Sequence, residues 1–70
     1  MINPDVKLIR KRLGMTQIEF ASRFEFPIGT LRSWEQRKRS PTGSARVLLM
    51  VIAQAPEVVC ATLAAVRGAL

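Results

Sequence analysis

The residues that carry hydrogen-bonding and ionic chemistry are concentrated in the middle of the chain. Gln17, Arg32 and Ser33 have side chains that can bind phosphate oxygens or the edges of bases. Shortly after them comes a run of cations, Arg37-Lys38-Arg39. This combination is typical of chemistry directed at a polyanion, in which charge and hydrogen bonds hold a partner and no covalent bond changes.

The overall charge indicates the same class of partner. Eleven Lys and Arg face five Asp and Glu, so the net charge is +6, and nine of the eleven basic residues lie between Lys7 and Arg39. After Ala45 only Arg46 and Arg67 remain, and the chain becomes apolar. A concentrated positive field favours nucleic acid, an anionic membrane or an acidic protein as the partner, and simple solubility is the alternative.

Catalysis and metal binding have no support in the composition. The chain has no histidine, no paired carboxylates and no glycine-rich phosphate loop, and its single cysteine, Cys60, lies in an apolar run where a thiol is inert. One thiol cannot form an intrachain disulfide or, with scattered acids, a zinc site. We therefore expect no enzymatic activity, no metal and no cofactor.

The same composition argues against a membrane protein. No segment reaches the roughly 18 consecutive apolar residues of a membrane span, and no basic start with an apolar stretch behind it marks a signal peptide. We expect a cytoplasmic protein that forms one domain over residues 1–70, with a core that is marginal at this length.

Cap residues, prolines and glycines predict the helices that must position the polar residues. The first helix should begin at Asn3-Pro4-Asp5, with Asn3 as the cap and Pro4 at the first helical position, and end at Gly14. The second should begin at the capping box formed by Thr16 and Glu19, and stop near Glu25 because Phe26 precedes a proline.

Three further helices follow, so the predicted fold is all-α with five helices. The third runs from Pro27 or Ile28 to Gln36, with Leu31 and Trp34 inward and Arg32, Ser33 and Gln36 outward. The fourth should begin at Ser40-Pro41 and reach about Gln54. The fifth should begin at Ala55-Pro56-Glu57 and end near Gly68, and both starts place proline at the first helical position.

Residues 41–68 are too apolar for a small monomer to bury on all sides. Val47 to Ala53 is an unbroken apolar run, and Thr62 is the only polar residue between Val58 and Val66. A helix that is apolar all round must be covered all round, so we expect this part to supply core and a twofold dimer interface. A five-helix monomer with a few exposed aliphatic side chains is the alternative.

The segment from residue 16 to residue 36 has the spacing of a helix-turn-helix, because two short helices are joined by a turn of a few residues. In that motif the second helix enters the major groove of DNA and the first crosses the backbone. We expect the DNA-binding residues to be Thr16, Gln17, Pro27, Ile28, Gly29, Arg32, Ser33, Arg37, Lys38 and Arg39.

Each of these side chains has a purely structural alternative. Gln17 is predicted to hold a phosphate, and Arg32 is predicted to hold a guanine or a phosphate; each could instead be a solvated surface residue. Ile28 could contact a thymine methyl group or pack under the turn, and Thr30 should point inward. We expect Glu35 to pair with a nearby arginine such as Arg10.

The basic residues of the first helix, Arg10-Lys11-Arg12, are a second possible contact to the DNA backbone.

At these residues the chain resembles the Cro/C1-type (XRE) helix-turn-helix family. The resemblance covers about residues 6 to 41 and includes IRKRLGMTQIEFASRF and TLRSWEQ. It implies a five-helix, lambda-repressor-like fold and binding of a palindromic double-stranded DNA operator as a homodimer. The chain departs from the family at Glu25 and Arg37, which stand where glycines are common, and at Pro27, which replaces a polar cap.

Residues 26 to 59 resemble more closely the HigA- or NadS-type antitoxin regulators, through TLRSWEQ, the basic segment, PTGSA and an apolar helix that ends near Pro-Glu. This implies an autorepressor that pairs with a RelE/HigB-like ribonuclease toxin. Two alternatives remain: a protein-interaction module that neutralises a toxin with vestigial DNA binding, and a stand-alone repressor without a toxin.

Overall fold

The computed structural model describes residues 3 to 69 and confirms an all-α fold of five helices in that range. Strands are absent from this part of the chain. The helices are α1 (Val6–Arg12), α2 (Gln17–Phe24), α3 (Ile28–Glu35), α4 (Gly43–Gln54) and α5 (Pro56–Ala69).

The start of α1 differs from the prediction, because Asp5 rather than Asn3 is the cap. The Asp5 carboxylate accepts a hydrogen bond from the Leu8 backbone N–H at 3.1 Å, so Pro4 lies before the helix instead of in its first turn. The end of α1 is as predicted: Gly14 follows with φ +68°, a left-handed conformation that glycine adopts without strain.

The capping box at the start of α2 is confirmed. Thr16 Oγ1 accepts the Glu19 N–H at 3.1 Å, and Glu19 Oε1 accepts the Thr16 N–H at 2.9 Å. The helix ends at Phe24, and Glu25 continues in a left-handed conformation with φ 61°, where glycine is favoured. Pro27 then occupies the cap position of α3 without a side-chain hydrogen bond.

The predicted start of α4 at Ser40-Pro41 is wrong by two residues. Pro41 is buried, Thr42 is the cap residue, and α4 begins at Gly43, whose φ of +57° suits glycine. The core therefore uses the Pro41 ring as packing surface and not as the first helical residue. By contrast, α5 begins at Pro56 as predicted.

Side chains from the first four helices build the core. The buried apolar residues are Val6, Ile9, Phe20, Ala21, Phe24, Leu31, Leu49 and Ile52. Phe26 and Trp34 close the turn between α2 and α3, with ring centroids 5.2 Å apart and an edge-on arrangement. Trp34, which was predicted to lie in the core, is half-buried. The fifth helix, α5, packs on the core through the half-buried Val59 and Cys60.

Several large apolar side chains of α4 and α5 stay exposed. They are Val47, Met50 and Val51 on α4, and Val58 and Val66 on α5. Among the described residues, no single helix is both long and apolar enough to cross a membrane; α4 and α5 meet that test only when taken together, and they are bent at 114°.

Candidate nucleic-acid interface

The turn between α2 and α3 brings Gln17 and Arg32 together. Arg32 Nε lies 3.4 Å from Gln17 Oε1, although the two residues are 15 positions apart. Arg32 is exposed on α3, and Gln17 is half-buried at the first position of α2. The structure thus places the predicted pair on one surface, with an exposed guanidinium beside a helix N-terminus.

Next to this pair, Glu35 on α3 forms a two-bond ion pair with Arg10 on α1. Arg10 Nε and Nη2 donate to the two Glu35 carboxylate oxygens at 2.7 and 2.8 Å, and Arg10 Nη1 donates to the Met15 carbonyl at 3.0 Å. The side chains of Arg10 and Glu35 are only 12% and 4% exposed. The predicted Glu35–Arg10 pair is confirmed, and it ties α1 to α3.

The hydrogen bonds between Arg10 and Glu35 favour the charged form of both side chains. The Arg10 hydrogen bond, with a smaller contribution from Gln17, lowers the pKa of Glu35 against the opposing effect of burial. The same bond raises the pKa of Arg10. Because Arg10 is used internally, the prediction that Arg10-Lys11-Arg12 contacts the DNA backbone is wrong for Arg10; Lys11 and Arg12 are exposed.

Gln17 also hydrogen-bonds to Glu35, a contact that was not predicted from the sequence. Its Nε2 donates to Glu35 Oε1 at 3.2 Å, so the amide bonds Glu35 through its nitrogen and Arg32 through its oxygen. The chain gives little signal for this contact, because Gln17 and Glu35 are 18 positions apart and lie on different helices.

The N-terminal end of α3 is partly committed to packing. Pro27 and Gly29 are exposed, whereas Ile28 and Thr30 are half-buried and Ile28 packs against the core. The structure therefore favours the packing alternative for Ile28. A Cβ added at Gly29 would meet no atom within 4 Å, so the backbone there is open to an approaching surface.

The C-terminal end of α3 is closed by the basic segment. Arg37 has φ 60° and donates its N–H to the Trp34 carbonyl at 3.2 Å. Lys38 and Arg39 donate their N–H groups to the Ser33 carbonyl at 2.9 and 3.4 Å. The segment is thus held against the helix end while all three cationic side chains are exposed.

Thr16 and Ser33 are less available than their neighbours. The Thr16 hydroxyl is occupied as the cap of α2, although the residue is exposed. Ser33 was expected to face outward and is half-buried instead. The accessible part of the predicted set is therefore the N-terminus of α2, Pro27 before α3, Gly29 and Arg32 on α3, and the cations after α3.

This arrangement has the form of a helix-turn-helix with a cationic border, and comparison with known proteins decides the family. A family model described as Helix-turn-helix, HTH_3, matches residues 6–45. The chain belongs to this helix-turn-helix family. A solved structure, the crystal structure of an XRE-family-like helix-turn-helix protein from Agrobacterium tumefaciens, is 47% identical with a TM-score of 0.82.

That match covers 86% of this helix-turn-helix protein and 97% of the Agrobacterium chain. A comparison with curated proteins gives no significant match. The resemblance to the XRE family is confirmed, and membership indicates a DNA-binding transcription regulator. Among residues 3–69 there is no cluster of three metal-ligating side chains.

Proposed function

We propose that the protein is a sequence-specific transcriptional repressor that places α3 in the major groove of double-stranded DNA. The observation that carries this proposal is the exposed Arg32 guanidinium on α3, held beside the N-terminus of α2 at the border of a cationic segment. An arginine so placed can donate two hydrogen bonds to the O6 and N7 of guanine.

The remaining predicted residues divide into two roles. Thr16 and Gln17 bring a helix N-terminus with free backbone N–H groups to a phosphate. Arg37, Lys38 and Arg39 contact the neighbouring phosphates of the DNA backbone, so each contact adds to the salt dependence of DNA binding. Pro27, Ile28, Gly29 and Ser33 shape the surface around Arg32, with Gly29 giving the closest approach.

We further propose that the protein binds a palindromic operator as a homodimer. Val47, Met50 and Val51 leave an apolar groove on α4 that extends to Ala55, and Val58 and Val66 expose further apolar surface on α5. Burying such a surface against its own copy would remove it from water and pair two recognition helices in one assembly.

The finer proposal is that this repressor is the antitoxin of a toxin–antitoxin operon. Its support is the resemblance of the segment from TLRSWEQ through PTGSA to HigA- and NadS-type regulators. The exposed apolar surface of α4 and α5 also suits the alternative of a module that neutralises a RelE/HigB-like toxin by contact, and without such a toxin the chain is a stand-alone repressor.

The DNA proposal is tested with duplexes selected from a random library by the protein itself. We expect Arg32→Ala to weaken binding to the selected duplex by about 5- to 150-fold, and binding to random duplex much less. Lys38→Ala should weaken binding to both duplexes equally and lower the salt slope by about one. Arg23→Ala removes an equal charge from an exposed position of α2 outside the predicted DNA-binding set and serves as the control.

Two outcomes would contradict the DNA proposal. One is a failure of the selection to enrich any sequence. The other is an equal effect of Arg32→Ala and Arg23→Ala on the selected duplex, because Arg32 would then act only through net charge.

The two finer proposals need separate assays. Light scattering during size exclusion should give twice the chain mass for the wild type, and Val51→Glu should give the monomer if the α4 surface is the interface.

Co-expression with the product of the neighbouring reading frame should relieve the growth arrest that this product causes alone. A neighbour that is harmless on its own contradicts the antitoxin assignment and leaves the repressor proposal intact.

A further inference from the structure

A chain of side-chain hydrogen bonds leads from the interior of the protein to the exposed face of α3. Arg10 holds Glu35 through two bonds of 2.7 and 2.8 Å. Gln17 Nε2 donates to Glu35 Oε1 at 3.2 Å, and Arg32 Nε donates to Gln17 Oε1 at 3.4 Å. Arg32, the last member, is exposed, while the first three are half-buried as residues.

The chemistry of these groups fixes which atoms donate and which accept in this series of hydrogen bonds, the relay from Glu35 through Gln17 to Arg32. An ionised carboxylate only accepts hydrogen bonds, so Glu35 must receive the NH₂ group of Gln17. An amide carries its oxygen opposite the NH₂ group, so Gln17 Oε1 then faces Arg32. The reversed amide would set an oxygen against the carboxylate and an NH₂ donor against the guanidinium, which only donates.

We propose that Glu35 is a positioning residue for base recognition: by fixing the Gln17 amide, it makes Gln17 hold Arg32 by Nε and leaves both terminal nitrogens of Arg32 to a guanine. This inference rests on the proposed function, in which Arg32 reads a base. In the part of the chain that the structure describes, the Arg32 side chain makes no hydrogen bond other than the one to Gln17.

Positioning matters because a free arginine loses rotamer freedom when it binds. A guanidinium that is already held at one nitrogen loses less of that freedom in forming two bonds to a base. A wrong base gains nothing from the same restraint. The relay through Gln17 should therefore increase discrimination at the base pair that Arg32 reads, and it should leave the phosphate contacts unchanged.

The decisive comparison uses Gln17→Met and Glu35→Gln, each at a temperature where circular dichroism shows it folded. Gln17→Met has nearly the same size and leaves the Arg10–Glu35 pair intact, so it isolates the relay. Both are assayed on the selected duplex and on copies that carry one changed base pair each. We expect each variant to lower discrimination at the Arg32 position by roughly 3- to 10-fold, with an unchanged preference elsewhere.

A merely structural role of Glu35 predicts something different. Partial unfolding would weaken binding to every duplex by the same factor and would not change discrimination. In an Arg32→Ala background, we expect Gln17→Met and Glu35→Gln to have no further effect on discrimination. Glu19→Gln is the matched control, because Glu19 is an exposed acidic residue in the first turn of α2 whose side chain caps that helix, and it should leave discrimination at the wild-type value.

A measurement without DNA separates this inference from the proposed function. The Arg32 Nε–H should exchange with water more slowly in the wild type than in Gln17→Met or Glu35→Gln, as followed by nuclear magnetic resonance. Equal exchange in all three proteins overturns the inference, as does unchanged discrimination in Gln17→Met. If the wild type selects no sequence while this exchange difference is present, the proposed function fails and the relay itself stands.

Discussion

Removing only one partner of the pair formed by Arg10 and Glu35 should strongly destabilise this small domain. We predict that Arg10→Met and Glu35→Leu each lower the free energy of unfolding by about 3 kcal/mol. The reason is that each change leaves the opposite charge without its partner, at a place where the Glu35 side chain is 4% exposed. A domain of 70 residues is stable by only about 4–10 kcal/mol in total.

The double variant separates the pair from the two single losses. With both charges replaced by apolar groups, the buried charge disappears, and the remaining cost is the unbonded Met15 carbonyl and the unbonded Gln17 amide. We expect a coupling energy of about 2–4 kcal/mol from urea unfolding of the four proteins. A coupling energy below about 0.5 kcal/mol, the value of an ordinary surface pair, would refute this reasoning.

The chain supplies its own control for that cycle. Arg67 and Glu25 form an equally short ion pair, with Nη2 and Oε2 2.6 Å apart, but both side chains are 53% exposed. Water screens this pair, so the same cycle at Arg67 and Glu25 should give about 0–1 kcal/mol. Similar coupling energies in the two cycles would mean that burial does not set the strength of these pairs.

Three further predictions concern local features of the helix-turn-helix. Arg37→Gly should raise the free energy of unfolding by about 1 kcal/mol, because φ 60° strains a residue with a Cβ; a lower urea midpoint would contradict this. Thr16→Ala should lower it by about 1 kcal/mol through loss of the α2 cap, with Thr16→Ser as the control that keeps the hydroxyl. The folded state also holds the pKa of Glu35 below its ordinary value of 4.5, so the unfolded state binds more protons as pH falls through that value. The stability that Glu35 contributes should therefore be present above its ordinary pKa of 4.5 and be lost as the pH falls below that value, and in Glu35→Gln this loss should be smaller; an equal loss would assign the acid sensitivity to other carboxylates.

Local signals in the sequence were sufficient for most of the fold. The Thr16–Glu19 capping box and the Phe26-Pro27 junction depend on neighbouring residues, so the bounds of α2 and α3 could be predicted closely. Pro41 shows where such reasoning fails: its ring fits the first helical position by local rules, but tertiary packing buries it before α4 begins.

The candidate site was predictable to the same extent. The exposed Arg32 follows from helical spacing, and the Glu35–Arg10 pair was expected from charge. The bond between Gln17 and Glu35 was not, because it needs the distance between α2 and α3, and that distance is set by the packing of Phe20 and Leu31 in the core. Contacts of this kind depend on the fold as a whole and not on any local pattern.

The weak anchoring of α5 determines the order in which parts of the molecule open. None of residues 56 to 68 is buried, and the exposed Arg67–Glu25 pair adds little to hold the helix. The backbone amides of α5 should therefore exchange with deuterium before those around Leu31 and Leu49, which are fully buried. Binding of a second subunit or a toxin to α5 should therefore be detected first as slower amide hydrogen exchange in that helix.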